Sequence, residues 1–199
     1  MFAGPMTAYD EKAPFRSAMR DLRRALKLAH PDAAVQAAAR YDPRAVGRIE
    51  AAAIYHPRGA EIDPFPLAAV LRRYAVRILL PVVVEKDAPL VFREMGEGGP
   101  LPPDVLGIPS PPPESPAIRP DLIVTPLLAF DRRGGRLGQG GGYYDRTLQA
   151  LRAEGRVFML GLAYASQELS EVPIGPHDER LDGVLTERGF KPLGISERG

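Results

Sequence analysis

Apolar residues recur along this chain with two periods, and the alternation between them predicts its elements. Phe15, Ala18, Met19, Leu22, Leu26 and Ala29 fall at helical spacing and would share one helix face. Pro14 suits the first turn of that helix and Pro31 ends it. Arg16, Arg20, Arg23, Arg24 and Lys27 make a basic stripe on another face. An Ala-rich second helix is expected over 32–44. Residues 49–55 (IEAAAIY) read as a strand, and 64–74 as a helix with Leu67, Val70, Leu71 and Tyr74 on one side.

The run 77–84 (RILLPVVV) is short, β-branched and apolar, as a buried strand is. Pro81 inside it predicts an edge strand or a bulge. Further strands are expected over 90–93, 122–130, 157–163 and 184–186, with a helix over 143–152. Nine of the 22 prolines crowd into 100–120, so that stretch is an extended loop or an insertion, not a helix or central strand. Strands alternating with helices imply an α/β fold: a layered, largely parallel sheet with helices on both faces.

A chain of 199 residues fits a single domain, 1–199, with 1–13 expected to be flexible and 95–120 forming the Pro-rich loop. Lys+Arg 26 against Asp+Glu 25 gives a net charge of +1, which argues against nucleic acid or an anionic membrane as the main partner. The absence of cysteine removes disulfides, thiol catalysis and thiolate-bound zinc. No apolar run approaches the 18 or so residues of a span, and 1–10 lacks the pattern of a signal peptide. A cytoplasmic monomer is the expectation.

Chemistry concentrates in 131–145, DRRGGRLGQGGGYYD, between a predicted strand and a predicted helix. There α/β folds bind phosphate, because a helix N-terminus presents unpaired N–H groups. Gly138, Gly140, Gly141 and Gly142 would let the backbone approach an anion closely, and Arg136 could fork onto phosphate oxygens. The string is neither a Walker A loop nor a dinucleotide fingerprint. From glycine spacing alone, a flexible turn with a helix cap is an equal reading.

The longer string settles more. Residues 126–146 read P-x-x-A-F-D-x-x-G-x-R-L-G-x-G-G-G-Y-Y-D-R without a break. This resembles the hallmark of the 5-formyltetrahydrofolate cyclo-ligase family. Arg16-Ser17-Ala18-Met19-Arg20, Ala60-Glu61-Ile62-Asp63, His177-Asp178 and Leu181-Asp182-Gly183-Val184 resemble its other segments in order, so the likeness runs over about 14–189. Pro64 departs from the family's usual Thr, Ser110 from its frequent Glu, and Gln139 and Gly141 stand where some members are basic.

The resemblance implies an ATP- and Mg²⁺-dependent ring closure of a reduced folate. ATP would meet Arg16, Arg20, Arg136, Leu137, Gly138, Gln139, Gly140, Gly141, Gly142, Tyr143 and Tyr144. Folate would meet Tyr55, Glu61, Tyr143 and 139–142, with Arg136 and Tyr143 nearest the chemistry. Asp145 and Asp182 would hold the metal, with Asp178 the neighbouring alternative to Asp182. A non-catalytic nucleotide- or RNA-binding relative of the same fold is the rival reading.

Overall fold

The structure, a computed structural model, describes residues 12–96, 98 and 101–194. Of the segment expected to be flexible, 1–11 lies outside the described residues, and Ala13 already belongs to the first helix. In chain order the helices are α1 (Ala13–Ala29), α2 (Ala33–Ala39), α3 (Phe65–Arg72) and α4 (Tyr143–Glu154). The strands are β1 (Ala51–Ala53), β2 (Arg77–Val82), β3 (Val91–Glu94), β4 (Leu122–Pro126), β5 (Ala129–Phe130), β6 (Arg136–Leu137), β7 (Phe158–Leu162), β8 (Gly183–Thr186) and β9 (Gly189–Pro192). The helix expected over 32–44 stops early, because Pro43 cannot donate to a preceding turn; it opens a 3₁₀ turn, Pro43–Val46, instead.

Seven strands form one sheet in the order β3-β2-β1-β4-β7-β8-β9. The five central strands run parallel, and β3 and β9 close the two edges antiparallel. The expected layering holds. Leu26, Ala37, Ala38, Leu67 and Leu71 of α1–α3 pack on one face, against Ala52, Ile78, Leu80 and Val124. Leu148 of α4 packs on the other, with Ala53, Leu79, Ile123 and Met159. Each fully buried leucine here contributes roughly 1.5–3 kcal/mol.

Two sequence expectations need correction. β2 is not an edge strand, yet it holds Pro81 opposite Phe92 without a bulge. The reason lies in its neighbour. Ile54 N–H donates to Leu79 O and Met95 N–H to Ile78 O, so odd positions of β2 face β1 and even ones face β3. Pro81 faces β1 at a level where β1 has already ended, and no N–H is missed. The strand expected over 122–130 also breaks. Leu127 O is taken by Arg23 Nη1 and Gln167 Nε2, which turns the chain out of the sheet. It then folds into the β5–β6 hairpin, pairing Ala129 with Leu137 and Phe130 with Arg136.

The Pro-rich loop carries no helix or sheet strand among its described residues, but it is tied down. Asp104 accepts from Val83 N–H at the end of β2 and from Leu106 and Ile108 N–H within the loop. No helix among the described residues is long and apolar enough to cross a membrane.

Candidate active site

Chain direction across the sheet reverses between β1 and β4: β1 leads outward to β2, and β4 leads the other way to β7 and β8. Open α/β sheets bind ligands at such a switch point, beyond the carboxyl ends of the strands. A cavity of about 500 Å³ lies there, lined by residues that follow β1 and β4. A second concavity, of about 610 Å³, lies at the opposite strand ends around Arg152 and Asp182. It has none of the glycine loop.

The glycine loop forms one wall. Asp131 shapes its start: the buried carboxylate accepts from Arg133, Gly135 and Val172 N–H. At its end, Gly142 caps α4 with φ 67° and no side-chain cap bond. A Cβ there would lie 2.5 Å from Arg146 Nη1, the movable end of a side chain, so it is the left-handed backbone rather than space that favours glycine. The first amides of α4 are thereby left to a ligand, with the positive end of the helix dipole behind them.

Cations border this wall. Arg136 donates to Asp145 Oδ1 at 2.6 Å, its guanidinium lies 5.9 Å from the Tyr144 ring centre, and its buried Nε has no partner among the described residues. Arg16 Nε donates to Gly138 O at 3.2 Å. Arg20 holds Gln139 Oε1 at 3.1 Å and stands outside the cavity lining. Leu137 borders the cavity, but its side chain packs with Met19 and Leu128 in a small apolar cluster.

The acid of the lining stands next to the glycine loop, within reach of Gln139. Glu61 is buried, accepts from Arg58 N–H at 2.9 Å and lies 3.7 Å from Arg23 Nη1. Burial pushes its carboxyl above the usual range, against the pull of the Arg58 N–H and of the Arg23 and Arg58 charges. Tyr55 lines the cavity, but its hydroxyl is committed to Ile62 O at 2.6 Å. Tyr143 and Tyr144 both reach the cavity; Tyr144 also packs against the apolar core behind α4. Pro81, Val83, Leu90, Leu106 and Ile108 make an apolar flank.

The structure does not bring Asp182 to Asp145. Asp182 stands before β8, at the strand starts, where Oδ2 accepts from Met159 N–H at 2.7 Å and pairs with Arg152 at 2.8 Å. Asp178, four residues earlier, lines the cavity with Asp145. It accepts from Lys12 Nζ and from Gly175 N–H. Burial opposes its ionisation, but those bonds and the Lys12 and Arg136 charges prevail and hold its carboxyl below the usual range. The bonds to Asp145, from Arg136 and from Glu179 N–H at 3.1 Å, both fall on Oδ1.

Among the described residues no group of three His, Asp or Glu could cage a metal alone. Mg²⁺ bound beside phosphates needs only one or two carboxylates, and Asp145 with Asp178 meets that requirement. Lys12, Arg23, Asp104 and Asp131 were not among the candidates from sequence. Lys12 stands alone before Pro14 and carries no local signal.

A cleft at the switch point, closed by a glycine loop that ends in a bare helix N-terminus, marks an α/β enzyme built around an anionic ligand. The comparisons narrow this. The model of the 5-formyltetrahydrofolate cyclo-ligase family matches residues 8–187, and the chain belongs to that family. A 5-formyltetrahydrofolate cyclo-ligase of Mycolicibacterium smegmatis is 35% identical over 147 residues, 70% of this chain and 75% of that protein. One from Escherichia coli is 34% identical over 139 residues, 67% and 76% of the two chains. The solution structure of Aquifex aeolicus 5,10-methenyltetrahydrofolate synthetase shares the fold, with TM-score 0.76 and 24% identity over 94% of this chain and 95% of that one.

Proposed function

We propose that the chain converts 5-formyltetrahydrofolate and ATP to 5,10-methenyltetrahydrofolate, ADP and phosphate. The observation that carries this reading is the polarity of the cavity. One part of the lining offers the α4 amides, Arg136 and Arg16 to an anion; another offers buried Glu61 and an apolar flank. A triphosphate suits the first. A flat heterocycle edged with N–H donors suits the second.

The formyl oxygen on nitrogen 5 is a poor leaving group. Transfer of the γ-phosphoryl to that oxygen turns it into a phosphate ester. Nitrogen 10 then attacks the formyl carbon and gives up its proton, the carbon–oxygen bond breaks, and phosphate departs. The protein's part is placement and charge neutralisation. Gly138–Gly142 and the α4 amides hold the phosphates, Arg136 offsets charge at the transferred group, Tyr143 packs on the folate, and Glu61 accepts from its N–H edge. Asp145 and Asp178 would hold Mg²⁺, which supplies charge neutralisation across the phosphate oxygens.

Mixing the chain with ATP, Mg²⁺ and 5-formyltetrahydrofolate should produce the absorbance of the methenyl product. Omitting ATP or adding excess EDTA should abolish it. Full turnover in EDTA would remove the metal from the reading, and ATP binding without product would return the non-catalytic alternative.

A further inference from the structure

Arg23 stands behind the cavity wall, and the side chains of Arg23 and Glu61 are only 8% and 6% exposed. Its Nη1 donates to Leu127 O at 3.0 Å and faces Glu61 Oε1 at 3.7 Å, while its Nε is buried without a hydrogen-bond partner among the described residues. Burying a guanidinium with an unsatisfied donor opposes folding, and an apolar side chain of similar size would pack there without that cost. Packing alone therefore does not account for arginine here. Arg58 is exposed and gives Glu61 its backbone N–H. Arg23 is thus the buried cation beside this acid among the described residues.

We propose that Arg23 is a positioning residue that keeps Glu61 ionised and turned as an acceptor, so that the cavity selects a ligand edge presenting N–H donors. The proposal rests on the reading of Glu61 as the acid that meets the folate. Five groups face Glu61: Arg23 from α1, Tyr55 from the end of β1, Arg58 from the loop that follows, Gln139 from the glycine loop and Tyr144 from α4. Burial raises both tyrosine hydroxyls, so neither supplies a competing negative charge near neutral pH. Gln139 is uncharged, and Arg58 is screened by water. A buried carboxyl that loses its one buried counter-charge takes up a proton at higher pH. It then presents a donor where an acceptor is needed.

The test compares folate and ATP KM across pH in four chains: native, Arg23→Met, Arg23→Lys and Glu61→Gln, with Arg23→Met/Glu61→Gln closing a double-mutant cycle. Arg23→Met should raise folate KM about tenfold or more at neutral pH, the loss expected for a charged acceptor. Its folate KM profile should shift to higher pH by about one unit or more, with ATP KM unmoved. Arg23→Lys, which keeps the cation, should retain the native profile. In the Glu61→Gln background, Arg23→Met should have no further effect on folate KM. If Arg23→Met alone does not fold, the comparison of Glu61→Gln with the double variant, and the Arg23→Lys profile, still decide. Additive losses in the cycle, equal loss for ATP, or an Arg23→Lys profile displaced by a unit would each overturn the role of Arg23. A Glu61→Gln chain with native folate KM would overturn the folate-side reading itself, and this proposal with it.

Discussion

Arg136 and Asp145 are joined at 2.6 Å across the gap between the β5–β6 hairpin and the first turn of α4. In the proposed reaction this pair can stay closed, because only Nη2 of Arg136 and Oδ1 of Asp145 are committed to it. The remaining guanidinium nitrogens would serve an incoming phosphate, and Oδ2 would serve a divalent cation. The bond thus holds the two groups side by side for neighbouring ligands.

Arg136→Ala should weaken ATP far more than folate. Loss of a charge-assisted contact costs about 1.5–3 kcal/mol, or roughly 10- to 150-fold in affinity. Titration of each ligand checks this; equal losses would move Arg136 out of the phosphate end.

Asp145→Asn and Asp178→Asn should raise the Mg²⁺ requirement and cut turnover sharply. Asp182→Ala should behave differently. It removes the acceptor of Met159 N–H and the partner of Arg152, so it should lower the melting temperature by about 2–4 °C, the effect of about 1 kcal/mol, with turnover near native. A metal defect in the Asp182 variant would reverse the assignment.

Asp178 also makes the stability gap pH-dependent. Its folded carboxyl is held below its unfolded value, so its stabilisation is present above that unfolded value, about 3.9, and is lost as pH falls through the depressed folded one. The melting temperatures of native and Asp178→Asn chains should differ by a constant amount near neutral pH and converge below about pH 4. A gap that widens in acid would contradict the depressed pKa.

Gly142→Ala should strain the start of α4. The left-handed backbone costs roughly 1–2 kcal/mol for a residue with a Cβ, and that Cβ must displace Arg146. A lower melting temperature with a disproportionate loss of ATP affinity is the expected pair of readouts. Native ATP binding would mean that the α4 amides do not hold the phosphates.

Asp104→Ala should loosen the tip of the Pro-rich loop from the end of β2, since its carboxylate joins Val83 N–H to the Leu106 and Ile108 N–H groups of the loop. Leu106 and Ile108 would then leave the apolar flank. Folate KM should rise with ATP KM unchanged; a steady-state comparison of both substrates decides it.

Periodicity and the glycine string located most of the sheet, α1, α4 and the loop between β4 and α4. What escaped was set by partners remote in sequence. Helical spacing puts Phe15 on the apolar face of α1, yet it is 47% exposed while Arg16 and Arg23 are buried. Hydrophobicity cannot foresee that, because an arginine is buried only where an acceptor such as Leu127 O or Glu61 awaits it. β6 and β9 are short, and pairing alone defines them. Asp178 and Asp182 share one loop; which of them meets Asp145 depends on where β8 begins, since that turns one toward the cavity and the other toward Arg152.

The bond from Lys12 to Asp178 spans 166 positions of the chain. The phosphate end of the cavity therefore cannot be completed by any fragment that stops short of residue 178. During synthesis, at roughly 5–20 residues per second, α1 emerges many seconds before the segment that completes its site. Until then Lys12, at the head of α1, has no Asp178 carboxylate to meet it. Tight nucleotide binding should accordingly appear as one of the last events of folding, and a nascent chain stalled before residue 178 would hold most of its sheet yet lack that capacity.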